Sequence, residues 1–205
     1  HLYGYLLLNG KCVEKDEKKA VTYVKEAADN NYLLALTLYG GMMIVGRPVE
    51  KNYEMAYHLF EQAANEGDMN ALNNIGKMHE LGFAVKKDEK MAFQCYQKAA
   101  ENGNVPGMVN LGQCYIQGLG VKKDQKKAVR LFQFAADQEH HGAIILLGKC
   151  HENGFGIKKN QKGAYKIYTK VANMKNCSGL YHKGRCLLGG IGVKKNKAEA
   201  KKNSS

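Results

Sequence analysis

Apolar and polar positions along this chain fall into two helical phases that follow one another. After Asp68, the positions Ala71, Ile75, Gly76 and His79 recur at helical spacing until Gly82, a residue suited to the left-handed conformation that closes a helix. The segment Gly82-Phe83-Ala84-Val85-Lys86-Lys87 is too rich in turn signals to continue that helix. After Asp88 a second pattern begins, in which Ala92, Tyr96, Ala99 and Ala100 stand at i, i+4, i+7 and i+8, one stripe of a 3.6-residue helix. The stripe returns as Ala56, Phe60, Ala63, Ala64 and as Ala128, Phe132, Ala135, Ala136. The predicted unit is therefore two helices joined by a glycine-rich turn.

That unit repeats every 36 residues. Glycine marks the first helix at Gly4, Gly40, Gly76, Gly112, Gly148 and Gly184, and the turn at Gly10, Gly46, Gly82, Gly118, Gly154 and Gly190. A fixed period in this range is the signature of a helical repeat array. A residue able to cap starts each second helix in one register: Asp16, Asn52, Asp88, Asp124, Asn160 and Asn196. Asp68 is placed to cap a first helix. Each mid-helix glycine costs about 1 kcal/mol relative to alanine, so its recurrence predicts a close backbone crossing. The turns depart from the pattern in three places: at Gly40-Gly41-Met42-Met43 with Arg47-Pro48, at Cys12, and at Ala84 in place of the second turn glycine. These turns are expected to be shaped differently without disturbing the stack.

The pattern A-x-x-x-L-G-x-x-x-x-x-G-x-G-V-x-K-D-x-x-K-A-x-x-x-x-x-x-A-A, fullest over Gly107 to Ala136 and Ala143 to Ala172, resembles the Sel-1-like repeat family. These are relatives of the tetratricopeptide repeats with a longer turn between the helices. The resemblance covers essentially the whole chain. It implies an all-α fold, a right-handed α/α superhelical solenoid of about six 36-residue helix-turn-helix repeats. It also implies adaptor roles, including membrane-protein quality control and signalling assemblies.

Composition agrees with a packed helical protein. With 205 residues, 44% of them apolar, there is material for a continuous core, and no apolar run approaches the about 20 residues of a membrane span. Residues 1–205 read as one solenoid domain in which each repeat touches mainly its neighbours. The chain opens at His1-Leu2-Tyr3-Gly4 inside a first helix and ends part-way into a second helix, so it reads as a segment of a larger protein. Between Ala136 and Ala143, DQEHHG is the expected loop joining the fourth and fifth units.

The formal net charge of +12 points to an acidic partner, a nucleic acid or an anionic surface. Part of it is organised as Lys86-Lys87, Lys122-Lys123, Lys158-Lys159 and Lys194-Lys195, which hold one place in four successive turns and would stack into a basic ridge. Nucleic-acid binding calls for arginines and exposed stacking aromatics. The chain has only Arg47, Arg130 and Arg185, and its recurring aromatics sit in core register. The ridge reads as a solvated turn surface, with an acidic protein as the next reading.

The cysteines are Cys12, Cys95, Cys114, Cys150, Cys177 and Cys186. Cys114, Cys150 and Cys186 share one register on successive helices, about 8–10 Å apart, which is too far for the about 7 Å limit of a disulfide. The regular cysteine pair that bridges the two helices in some bacterial members of the family is missing. Reduced, mostly buried thiols in a reducing, cytoplasmic compartment are expected. The glycosylation-type triplets Asn176-Cys177-Ser178 and Asn203-Ser204-Ser205 are discounted as chance matches. His182 and Cys186 at i, i+4, with Cys177 and Cys150-His151 nearby, are of zinc-ligand type. Without a C-x-x-C they read as core cysteines beside a surface histidine, and no metal or cofactor is expected.

Catalytic patterns are not found either. His140-His141 reads as a loop pair, His79 and His151 lie two repeats apart, and so do Glu80 and Glu152. No G-x-S-x-G, phosphate-loop or S-x-x-K pattern occurs, the last of these expected of serine β-lactamases, an activity linked to some relatives. In a solenoid of the kind the resemblance implies, the first helices line a concave face. By helix register it should present Asn73, Lys77, Glu80, Gln113, Ile116, Gln117, Lys149, Glu152, Asn153 and Arg185. The expected function is a non-catalytic scaffold, monomeric or weakly self-associating, that grips a peptide or helix of a protein partner. The rival readings are a regulatory or targeting arm of a larger enzyme such as a protein kinase, and electrostatic docking through the lysine ridge.

Overall fold

A helix start is stable when its first amides, which have no partner within the helix, find an acceptor. Every cap predicted for a second helix supplies one. In the computed structural model, which describes residues 16–202, Asp16 accepts from Lys19 N, Asn52 from Met55 N and Asp88 from both Lys90 N and Met91 N. Asp124 accepts from Lys127 N, Asn160 from Gly163 N and Asn196 from Glu199 N. Gly4, Gly10, Cys12, the opening segment and the Asn203-Ser204-Ser205 triplet lie outside the described residues.

The second helices so begun are α1 (Glu17–Asp29), α3 (Tyr53–Asn65), α5 (Glu89–Glu101), α7 (Gln125–Asp137), α9 (Gln161–Asn173) and α11 (Lys197–Lys202). The first helices are α2 (Leu33–Val45), α4 (Met69–Leu81), α6 (Val105–Gln117), α8 (His141–Asn153) and α10 (Cys177–Gly189). All eleven are α-helices, and the described residues contain no strand. Equivalent helices start 36 residues apart, as the glycine period requires. No helix among the described residues is long and apolar enough to cross a membrane.

The turn is tied at both ends. Gly82 takes the left-handed conformation (φ 73°) and donates to Met78 O, closing α4. The backbone N–H of Asp88 then reaches back to His79 O at 2.9 Å, a bond repeated from Asn52, Asp124, Asn160 and Asn196. The departure at Ala84 leaves the conformation intact. Ala84 has φ 59°, beside 65°, 67° and 70° at Gly120, Gly156 and Gly192. The turn is thus held in a left-handed form by its surroundings even where alanine makes it costly. Pro48 differs, since its ring fixes φ near −65° and excludes that form, and the Arg47–Pro48 peptide is cis.

The expected six-residue loop DQEHHG is shorter than predicted. Asp137 ends α7 and His141 begins α8, leaving three residues between them. His140 caps α8, its Nδ1 accepting from Ala143 N at 3.2 Å. Glu139 takes a left-handed φ of 59°, as Gly67 (95°) and Gly103 (82°) are left-handed at the same register.

The chain divides into two units, residues 1–107 and 108–205. In the first, α1 to α4 each pack on the next helix, and a core of small and apolar residues surrounds Phe60, Leu36 and Met78. In the second, α7 to α10 each pack on the next, with Phe132 and Tyr168 at the centres of two clusters. The mid-helix glycines meet a ring, not the crossing backbone expected from sequence. A Cβ on Gly40 would lie 2.7 Å from Phe60 Cε1, one on Gly76 2.7 Å from Tyr96 Cε1, and one on Gly112 2.5 Å from Phe132 Cε1. Gly148 meets Tyr168 in the same way. Backbone approach occurs elsewhere: in the turns, where a Cβ on Gly156 or Gly192 would collide with the carbonyl of Gln125 or Gln161, and at the start of α10, where one on Gly179 would lie 2.5 Å from Ala172 N.

Neighbouring glycines of α2 test this distinction. Gly40→Ala should lower stability by about 1–3 kcal/mol, because buried Phe60 must move. Gly41→Ala, whose Cβ would meet nothing within 4 Å, should raise it by up to about 1 kcal/mol through helix propensity. Urea or thermal denaturation of the two variants should give opposite signs.

Candidate partner-binding face

The first helices are each thirteen residues long, so equivalent positions can be compared directly. At the ninth position stand Gly41, Lys77, Gln113, Lys149 and Arg185, and at the thirteenth Val45, Leu81, Gln117, Asn153 and Gly189. Lys77, Gln117, Lys149 and Asn153 are exposed, whereas Gln113, Ile116, Glu80 and Arg185 are half-buried. Asn73 and Glu152 are buried, at 6% and 8% exposure, so the expected exposure does not hold for these two. Asn73, Lys77 and Glu80 belong to the first unit and the remaining seven predicted residues to the second.

The twelfth position has a task of its own. The ring that seats on each mid-helix glycine points its far edge at this residue, and the two side chains match. Tyr96 donates its hydroxyl to Glu80 Oε2 at 2.6 Å, and Tyr168 donates to Glu152 Oε2 at 3.0 Å. Where the ring is Phe60 or Phe132, the twelfth residue is Ile44 or Ile116, packed in the same apolar cluster. A buried phenol needs an acceptor and a buried phenyl ring must not face one. Glu80, Ile116 and Glu152 are therefore matched to the core ring behind them. The signal was present in the sequence as tyrosine with glutamate, or phenylalanine with isoleucine, sixteen residues apart.

Glu152 is also where predicted residues meet. Arg185 Nη1 donates to Glu152 Oε1 at 2.8 Å, and its Nη2 pairs with Oε2. Burial alone would push the Glu152 carboxyl up, but the hydrogen bonds from Arg185 and Tyr168 outweigh it and hold the carboxyl below its usual value of 4.5. Burial, then the neighbouring Glu152 carboxylate, push the Tyr168 phenol far above its ordinary range, so it remains a donor. His182 is not the surface residue expected. It is half-buried and stacked on Tyr168, with centroids 4.8 Å apart and 22° between the planes. Burial, with Lys149 and Arg185 nearby, pushes its pKa down.

All eight predicted ridge lysines are exposed: Lys86, Lys87, Lys122, Lys123, Lys158, Lys159, Lys194 and Lys195. The second of each pair also has a packing role that the sequence reading missed. Its stem lies over the turn glycine: a Cβ on Gly118 would sit 2.9 Å from Lys123 Cγ, and one on Gly190 3.0 Å from Lys195 Cγ. Lys87 and Lys159 cover Gly82 and Gly154 likewise, as does Lys51 on Gly46, where the sequence shows no lysine pair. A long stem ending in a cation can cover apolar backbone and keep its charge in water.

Cys95, Cys114, Cys150 and Cys186 are buried, while Cys177 is exposed, and none of the five is in a disulfide. Burial pushes the Cys150 and Cys186 thiols up to about 11. Among the described residues no three His, Cys, Asp or Glu side chains are placed to hold a metal ion.

With this geometry in view, comparison with known proteins is direct. The Sel1 repeat model matches residues 1–32, 33–68, 70–104, 105–140, 141–176 and 179–203. The chain belongs to the Sel1 repeat family. A Sel1 repeat protein from Oxalobacter formigenes is 28% identical, with a TM-score of 0.82 over 99% of this chain and 81% of its own. The protein c5321, a protective antigen of uropathogenic Escherichia coli with the same fold, is 28% identical with a TM-score of 0.72 over 98% of this chain. The present Sel1 chain spans only 43% of the length of c5321. Helicobacter pylori cysteine-rich protein B, also 28% identical, has a TM-score of 0.50 over 67% of this chain and 99% of its own. No curated protein matches the sequence. Sel1 repeats are generally protein-interaction scaffolds, and the family is typically non-catalytic.

The matched ring and twelfth residue predict a thermodynamic cycle. Tyr96→Phe alone should cost about 1–2 kcal/mol, because it strands the Glu80 carboxylate. Adding Glu80→Ile, the natural mate of phenylalanine in this chain, should recover most of that loss in a double-mutant analysis of urea unfolding.

Glu152 predicts a pH dependence. Because its folded pKa is depressed, its contribution is complete above about pH 4.5 and is lost as the pH falls through the folded value. The urea midpoint of the wild type should drop more steeply below pH 4.5 than that of Glu152→Gln.

Proposed function

We propose that this chain is a non-catalytic scaffold whose first helices grip a peptide or helical segment of a protein partner. The observation that carries the reading is a division within each first helix. Core-facing positions hold glycine, alanine and buried apolar residues such as Leu36, Met78 and Leu147, and the twelfth position is matched to a ring. At the ninth and thirteenth positions Lys77, Gln117, Lys149 and Asn153 face solvent, whereas Arg185 is held by Glu152. Hydrogen-bonding side chains at regular helical spacing suit a partner segment that must be held in one register. The turn lysines have a different role, since the second of each pair covers a glycine of its own turn.

The test is retention of a partner from cell extract at physiological salt by three proteins: the wild type, Lys77→Glu with Lys149→Glu, and a variant with Lys86, Lys122, Lys158 and Lys194 all changed to glutamate. The expected result is a protein held by the wild type and the turn variant, and bound about tenfold or more weakly by the face variant. Retention by the face variant with loss in the turn variant would reverse the assignment, placing binding on the lysine turns.

A further inference from the structure

The ninth position of the first helices is long and polar in four of them, Lys77, Gln113, Lys149 and Arg185, and empty in α2, where it is Gly41. The missing side chain opens a groove between α2 and α4. It has a volume of about 140 Å³ and is lined by Gly41, Ile44, Phe60, Met78, Leu81 and Phe83, with Asn74 and Lys77 as its polar members. Phe60 and Met78 are core residues, at 1% and 2% exposure, so the floor is rigid. A Cβ on Gly41 would point into open space, with no atom within 4 Å. Leu81, at the thirteenth position of α4, lines the groove and is 54% exposed, whereas Gln117, Asn153 and Gly189 hold that position in the second unit.

We propose that this groove is a docking slot for one apolar side chain, of leucine, methionine or phenylalanine size, carried by an acidic segment of the partner protein. Charge complementarity selects that occupant. Lys77 is exposed and lines the groove, no lining residue is acidic, and the Glu80 carboxylate one turn on is occupied by the Tyr96 hydroxyl. The whole chain carries +12. A segment with an apolar residue beside an aspartate or glutamate would fill the slot and pair with Lys77 at its rim. The assignment rests on the partner-binding reading above and adds the place and chemistry of the anchor.

The experiment is selection of a short random peptide library on the immobilised chain, then fluorescence polarisation of the recovered peptides at physiological salt. The expected peptides share an apolar residue next to Asp or Glu. They should bind Gly41→Leu, which plugs the slot, and Lys77→Glu about tenfold or more weakly. Gly41→Ala, expected to be the more stable protein, should weaken binding in the same direction, which separates lost affinity from lost fold. Peptides that bind Gly41→Leu normally but are lost by Lys149→Glu would overturn the slot and leave the scaffold reading standing. An empty selection would overturn the slot, and an empty extract experiment as well would overturn both. Concentration-dependent self-association abolished by Gly41→Leu would overturn the acidic occupant in favour of a second copy of the chain.

Discussion

An aromatic ring laid against a glycine is the contact on which four of the repeats depend. The second helix cannot approach the first closely enough to bury its ring unless the facing residue has no Cβ. At Gly40, Gly76 and Gly112 that Cβ would stand 2.5–2.7 Å from the ring. Glycine within a helix costs about 1 kcal/mol, and a fully buried aromatic returns about 1.5–3 kcal/mol, so the exchange is favourable. Once the ring is seated, its para position is fixed, and the twelfth residue of the first helix must suit it. Glycine, ring and twelfth residue thus behave as one triplet, available as glycine-phenylalanine-isoleucine or glycine-tyrosine-glutamate. At Gly184 the ring register falls on Ser204 in the sequence, and among the described residues a Cβ on Gly184 would meet nothing closer than Ala200 O at 3.9 Å.

The period, the helix starts and the fold class were legible because each depends on local chemistry. An aspartate or asparagine that caps does so with amides two or three residues ahead, and its neighbours in space are its neighbours in sequence. What escaped the sequence depends on residues met across the fold. Glu152 reads as an exposed helix residue until Tyr168 and Arg185 arrive from the next two helices. His140 reads as loop because an imidazole is an uncommon cap, although its register is that of Asp68 and Asn176, which cap the equivalent helices. The left-handed residues Asn31, Glu139 and Lys175 were hidden for a similar reason. Only Gly67 and Gly103 advertise the conformation, and their register had to be carried to positions where other side chains tolerate it.

Electrostatics follows the same division. Arg185 and Glu152 neutralise one another, half-buried and buried, so that this cation belongs to the framework more than to the surface. Of the ninth-position residues, Lys77 and Lys149 are the charged side chains left exposed. The turn lysines add charge but are partly committed to covering their glycines. A high net charge therefore favours an acidic partner without locating the site, because many of the cations sit where they solvate a turn.

Repeats that share a core can differ only where the core makes no demand. In this chain such places are found among the ninth and thirteenth positions of the first helices, although Arg185 at the ninth is held by Glu152. Lysine, glutamine and arginine set charge and hydrogen bonding, whereas Gly41 sets shape by leaving a gap over Phe60. The same gap would be a liability if the neighbouring thirteenth positions were unrelated to it. They are Val45 and Leu81, the two apolar residues of that series, and both are exposed. Leu81 lines the open slot and leaves apolar surface in contact with water. On the proposed reading, the apolar side chain of the partner covers that surface.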